Sequence, residues 1–310
     1  MPIMSQILVL FAFIAIGFIL VKSCILPKYS TEVLSKLESF VFVPALVMGT
    51  FIKNCTLDNI GALWGILLFS VILLVILLPF AFLTVKFFCK DRLTKNITIY
   101  GLVFSNFGFM GNAVVKAIFP KLFFNYIVFT MPFWFAIYAW GVPNLLMPKE
   151  KNVSRLKNFI NPMLVAMVIG IIIGLTGLTL PSVVLDAVDL LGDCMSPVAM
   201  ILTGATVATI NIKELFKNTK LYLISLIRLV IFPLLYILCV AFIPKGNFIN
   251  ETVLLCGMCM VSMPMGLNAI VIPAAYGEDT TYATGLAVIT HLLSVITIPL
   301  LFVLFNTWVL

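Results

Sequence analysis

The sequence predicts an all-α polytopic membrane protein of ten transmembrane helices, arranged as two inverted five-helix repeats with helices 4 and 9 broken. Three observations carry this prediction. Apolar residues make up 63% of the 310 and charged residues 10%, with a mean hydropathy of +1.21. An average soluble domain carries about 25% charge and could not cover its surface with so little. The apolar residues gather into long runs, enough for about ten spans of roughly 20 residues each. Two of these runs, at corresponding places in the two halves, are interrupted by Asn, Gly and Pro. Soluble enzymes, nucleic-acid binders, disordered chains and disulfide scaffolds fall outside such a composition.

The runs are 2–21, 37–52, 62–85, 97–119, 123–147, 159–176, 184–209, 220–243, 251–275 and 283–308. The first is read as a retained span rather than a cleaved leader. No Lys or Arg precedes it, Lys22 follows it, and no small-x-small cleavage site is evident. The longest and most charged connection is central, from Pro148 to Lys157. It divides the chain into a first five-helix repeat (1–147), a basic loop (148–158) and a second, inverted repeat (159–310).

The net charge of +7 is read as topology, not as a nucleic-acid partner. The connections after runs 1, 3, 5 and 7 hold fourteen Lys and Arg, and the opposite side holds three, Lys53, Lys121 and Lys245. The positive-inside rule then places the central loop in the cytoplasm and both termini outside a cell membrane. Termini on one side require an even number of spans. Five spans per half, an odd number, give the halves opposite orientation, the inverted-repeat architecture of many secondary transporters. Faint echoes agree: run 2 contains Val43-Pro44-Ala45-Leu46-Val47-Met48-Gly49, and run 7 contains Ser196-Pro197-Val198-Ala199-Met200 and Gly204. The seven cysteines are scattered, mostly within apolar runs, and give no disulfide framework. Cys256 and Cys259 have redox-motif spacing but read as small apolar side chains within a span.

Runs 4 and 9 carry the chemistry. Run 4 contains Ser105-Asn106-Phe107-Gly108-Phe109-Met110-Gly111-Asn112-Ala113, and run 9 contains Ser262-Met263-Pro264-Met265-Gly266-Leu267-Asn268-Ala269 and then Pro273. Proline removes a main-chain donor and clashes with the preceding turn. Glycine weakens a helix, and asparagine competes for main-chain groups that hydrocarbon leaves no water to satisfy. Such segments persist at membrane depth where protein or a wet cavity encloses them, and two in matching repeat positions point to a transporter site. Half-helix N-termini there would present N–H groups and positive dipole ends to an anion.

Charges within spans are costly and therefore candidates for function. Lys116, just past the run-4 interruption, either neutralises a bound carboxylate or snorkels toward the interface near Lys121. Arg228, deep in run 8 before Pro233, pairs with an acid or contacts an anion. Asp186, Asp189 and Asp193 share one face of run 7. They form a cation or proton site or a wet helix end, with Asp193 deepest and so the coupling or structural candidate. His291, the single histidine, is a proton relay or a neutral imidazole hydrogen-bonded between helices. The aromatic residues of run 5, Phe133, Trp134, Phe135, Tyr138 and Trp140, read as lipid-facing and interfacial packing.

Residues Asn106-x-Gly108-Phe109-Met110-Gly111 resemble the fourth-span motif of the auxin efflux carrier family, the bacterial relatives of the plant PIN-formed auxin exporters. Met263-Pro264-x-x-x-Asn268-Ala269 with Ala275-Tyr276-Gly277 resembles its ninth-span motif, and Thr290-His291 through Pro299 resembles its tenth span. The resemblance implies that spans 4 and 9 break and cross near the bilayer centre, beside a mobile transport domain and a scaffold domain. This arrangement is similar to Na+/H+ antiporters and bile-acid transporters. It also implies organic-anion substrates, auxin-like acids or malate- and malonate-like carboxylates. Where the family often has proline, this chain has Ala113, so Asn112 is expected to supply part of the break.

The expectation is a secondary carrier of small organic anions working by alternating access. Asn106, Gly111, Asn112, Pro264 and Asn268 shape its substrate site, and Lys116 is a charge partner. Asparagine can hydrogen-bond a carboxylate without a permanently buried charge. The alternative is a cation- or proton-coupled carrier of another solute, with Asp193 or His291 holding the ion. No phosphate loop, metal-ligand cluster or second histidine is present, so neither an enzyme nor a cofactor or metal is expected. The partners expected are the substrate and the lipid bilayer; a homodimer is left open.

Overall fold

Uninterrupted apolar segments fold as helices because hydrocarbon offers no water to main-chain groups. The computed structural model describes residues 3–27, 29–56, 60–89, 91–147, 161–209, 219–244, 246, 249–275 and 278–309, and the central loop 148–158 lies outside them. The helices are α1 (Ile3–Lys22), α2 (Ser30–Asn54), α3 (Ile60–Phe88), α4 (Arg92–Val103), α5 (Phe107–Ile118) and α6 (Pro120–Leu146) in the first half. The second half has α7 (Pro162–Thr176), α8 (Ser182–Ala208), α9 (Thr219–Ala241), α10 (Glu251–Val261), α11 (Asn268–Ala275) and α12 (Thr281–Trp308). No strand occurs among the described residues; one isolated antiparallel bridge joins Ser105 to Met265.

Among the described residues, six helices are long and apolar enough to cross a membrane: α2, Leu63–Phe88 of α3, α6, α8, α9 and α12. Four further apolar helices are shorter: Leu8–Lys22 of α1, α5, α7 and α10. The protein is thus an all-helical, multi-pass membrane protein. Runs 4 and 9 differ from continuous spans. Each splits into two half-helices, α4 with α5 and α10 with α11, separated by non-helical residues 104–106 and 262–267. The exposed face of α3, with Trp64, Leu68, Val75, Ile76 and Leu83, suits lipid and not water.

Several helices widen locally into π turns, at Glu38–Phe42 in α2, Ile137–Leu146 in α6 and Ile227–Ile231 in α9. Each contains or closely precedes a proline, Pro44, Pro143 and Pro233 respectively. Proline leaves an upstream carbonyl without its donor, and a π adjustment lets neighbouring N–H groups take it up. Where α4 begins, Asp91 caps the helix by accepting from the Thr94 main-chain N–H at 2.8 Å. That bond holds the Asp91 carboxyl below its ordinary range.

The chain divides into two compact units. The first comprises Met1–Trp64, Gly108–Val128 and Phe159–Thr209, and so holds α1, α2, most of α5, α7 and α8. Close helix contact through small residues organises it. A side chain on Gly17 would strike the Ile201 carbonyl, and one on Gly204 would strike the Ile14 carbonyl, so α1 and α8 meet backbone to backbone. The second unit comprises Gly65–Phe107, Phe129–Asn158 and Ile210–Leu310, and so holds most of α3, α4, most of α6, and α9 to α12. Its core is built on the half-helices themselves. From Ile97 to Val103 of α4, and from Cys256 to Val261 of α10, every residue is buried. A helix apolar on all sides belongs inside a protein. Tyr236 of α9 ties α10 in place by donating to the Leu254 carbonyl at 2.7 Å, while its ring stacks on Phe305 of α12.

Candidate functional site

The strongest site lies in the second unit, where the two unwound segments pair. The Asn106 N–H donates to the Pro264 carbonyl at 2.7 Å, and the Gly266 N–H donates to the Phe104 carbonyl at 3.1 Å. These bonds flank the Ser105–Met265 bridge. Each break thus supplies the main-chain partners that the other lacks, which lets two irregular segments stand in a buried core. Two side chains reinforce the pairing: Ser105 donates its hydroxyl to the Met260 carbonyl at 2.9 Å, and the Met265 N–H reaches Thr290 Oγ1 at 3.4 Å.

Of the predicted site residues, Asn106, Pro264, Asn268, His291 and Arg228 all fall in this unit. Asn106 and His291 are 3% and 4% exposed and meet at 2.9 Å, Asn106 Nδ2 against His291 Nε2. The other ring nitrogen, Nδ1, lies 2.7 Å from the Ala287 carbonyl. A carbonyl only accepts, so Nδ1 carries the hydrogen there, and a neutral ring leaves Nε2 to accept from the Asn106 amide. The ring therefore links its own helix, α12, to the break in run 4. Asn268 begins α11, on the far side of the run-9 break.

Arg228 is 1% exposed, yet no carboxylate among the described residues reaches it. The expected acid is replaced by two carbonyls, Leu102 at 3.1 Å and Met260 at 3.4 Å. Both belong to the last turns of half-helices, one in each half of the chain, where carbonyls lack intrahelical donors. Each helix C-terminus carries roughly half a negative charge, so two together offset one guanidinium. The guanidinium thereby draws together the ends of α4 and α10 just before their breaks.

The remaining predicted residues, Gly111, Asn112, Lys116 and Asp193, fall in the first unit. Asn112 is buried and helical, and Ala113 is fully buried in the same regular helix. The break lies upstream of both, at 104–106, so Asn112 does not supply it. The absent proline is immaterial, because the mutual pairing of the two segments holds the chain out of helix. Lys116 neither stands ready for a carboxylate nor snorkels alone: it pairs with Asp193 at 2.7 Å. Asp193 is not deeply placed, since its side chain is 69% exposed. One turn away Lys53 pairs with Asp189 at 2.6 Å. Both pairs line a cavity of about 350 Å³ whose charges largely cancel, with Lys121 on its wall.

The aromatic residues of run 5 are placed differently from expectation. Phe133 is fully buried and Phe135 is 63% exposed. Phe107, directly after the break, packs on Phe133 and edge-on to Trp134 at 5.0 Å, and Trp134 stacks on Tyr138. An aromatic wall therefore flanks the crossing. Apolar character alone does not separate a lipid-facing side chain from one that packs on protein. Ser105 and Thr290 were not singled out by sequence, although they stand within or beside the motif residues.

A family model described as membrane transport protein matches residues 2–154 and, a second time, residues 146–302. No curated protein matches the chain.

Proposed function

Because the chain belongs to the membrane transport protein family, that of the auxin efflux carriers, we propose that this membrane transporter is a secondary carrier of small organic anions. It acts by alternating access and not as an enzyme. The observation that carries the reading is the buried pairing of two broken helices beside Asn106, His291 and Asn268. Neutral amide donors, an α11 N-terminus and a surrounding aromatic wall suit a carboxylate attached to an apolar body. Candidate substrates are malate- and malonate-like carboxylates or auxin-like acids.

The ten-helix inverted repeat follows the same reasoning. The first unit holds helices from runs 1, 2, 6 and 7 with most of the second half-helix of run 4, and the second holds those from runs 3, 5, 8 and 10 together with both breaks. Each unit draws helices from both halves of the chain, as repeats related by a twofold would, and a family model that matches twice supports the reading. The unit with the crossing takes the part of the transport domain, and the other that of the scaffold.

Purified protein in liposomes, offered a panel of labelled mono- and dicarboxylates, tests the proposal. Asn106→Leu leaves the His291 nitrogen without its donor, and Asn268→Leu removes a carboxamide at the start of α11. Each should lower flux by about tenfold or more, the equivalent of one lost hydrogen bond of about 1.4 kcal/mol, with helicity and monodispersity unchanged. Undiminished flux in both variants overturns the site, and no flux of any carboxylate by the unaltered protein overturns the carrier.

A further inference from the structure

Glu38 opens the π turn of α2, is 0% exposed, and has no hydrogen-bond partner for either carboxyl oxygen among the described residues. The π turn packs against α7 and α8. α7 has no ionisable side chain. On α8, Asp186 and Cys194 are exposed, Asp189 holds Lys53, and Asp193 holds Lys116. On α2 itself, Lys36 is held by Glu32 and Lys53 by Asp189. Leu46 lies against Gly192 and Gly49 against Val188, so α2 and α8 run antiparallel. That register sets Asp193 opposite Ala45 and Glu38 opposite Met200, about 10 Å further along the axis. The α8 hydroxyls on that stretch are engaged elsewhere, Thr203 with Ala199 and Ser196 with Met195.

A bare carboxylate in such surroundings is far less stable than the neutral acid, so Glu38 holds its proton in this conformation. A purely structural position would be served better by an apolar side chain of similar volume. We propose that Glu38 is the proton-coupling carboxyl of the carrier, an inference that rests on the transporter reading above. An O–H bond forms with H+ taken from water on one side of the membrane. It breaks when the transport cycle exposes the group, and H+ returns to water on the other side. No electrons move.

The test uses the full chain, unaltered and as Glu38→Gln, which keeps the shape of the protonated acid. Infrared spectra of both proteins at neutral pH should show a protonated-carboxyl stretch that the variant lacks. In liposomes with radiolabelled malonate as the probe, the unaltered protein should accumulate malonate under an imposed pH gradient. The variant should still exchange malonate for malonate but ignore the gradient. A missing infrared band, or a variant that follows the gradient as the unaltered protein does, overturns the inference while leaving the carrier intact. If neither protein moves malonate or any other carboxylate, the carrier reading fails, and the infrared band still decides whether Glu38 holds a proton.

Discussion

Arg228 shows how a buried charge can be accommodated without a counter-ion. Its guanidinium meets the Leu102 and Met260 carbonyls, so two half-helix dipoles take the place of a carboxylate. Arg228→Met would leave the Leu102 carbonyl buried and short of a donor, while the Met260 carbonyl keeps its bond from Ser105, at a cost of about 1–3 kcal/mol. Arg228→Lys, a point charge without the fork, should recover part of the loss. Thermal unfolding in detergent should therefore rank the unaltered protein above Lys and Lys above Met, and a Met variant as stable as the unaltered protein would refute the role. The sequence marked Arg228 as an expensive charge. Its partners were illegible, because carbonyls are freed by the breaks in helices far away along the chain. Glu38 was missed for a related reason: it lies one residue inside a run whose start was read at 37, where a charge passes for an interfacial one. The observed helix begins earlier, at Ser30, and carries it inward.

At the scale of elements, the breaks in runs 4 and 9 were legible from Asn, Gly and Pro, since these residues weaken a helix wherever they stand. The place of each break was not. Run 4 unwinds at 104–106, ahead of Gly108, Gly111 and Asn112, because that is where its main chain meets Pro264 and Gly266. Glycine elsewhere serves contact. Gly204 brings α8 against the Ile14 carbonyl of α1, and Gly17 brings α1 against the Ile201 carbonyl of α8. Gly204→Val should drive the helices apart and cost about 1–3 kcal/mol, the usual range for overpacking. A lowered unfolding midpoint, with helicity retained before the transition, is the expected result. An unchanged midpoint would mean that the helices have room to separate freely.

At the scale of the molecule, the charge bias among connections makes a prediction about orientation. With native cysteines replaced, Lys151→Cys in the central loop should react with a membrane-impermeant maleimide in inverted vesicles but not in intact cells. Leu310→Cys at the C-terminus should do the opposite. The reverse pattern would invert the topology. The sequence by itself determined that the chain crosses a membrane repeatedly as helices, that two of its spans cannot be continuous, and which family it joins. Composition, local propensity and short motifs carry all three, and each acts over a few neighbouring residues. Only the tertiary structure decided that Lys116 answers Asp193, that Asn106 answers His291, that Arg228 binds carbonyls, and that Glu38 has no partner among the described residues. Those outcomes depend on which distant segments pack together, and long-range packing leaves no periodic trace in the order of residues.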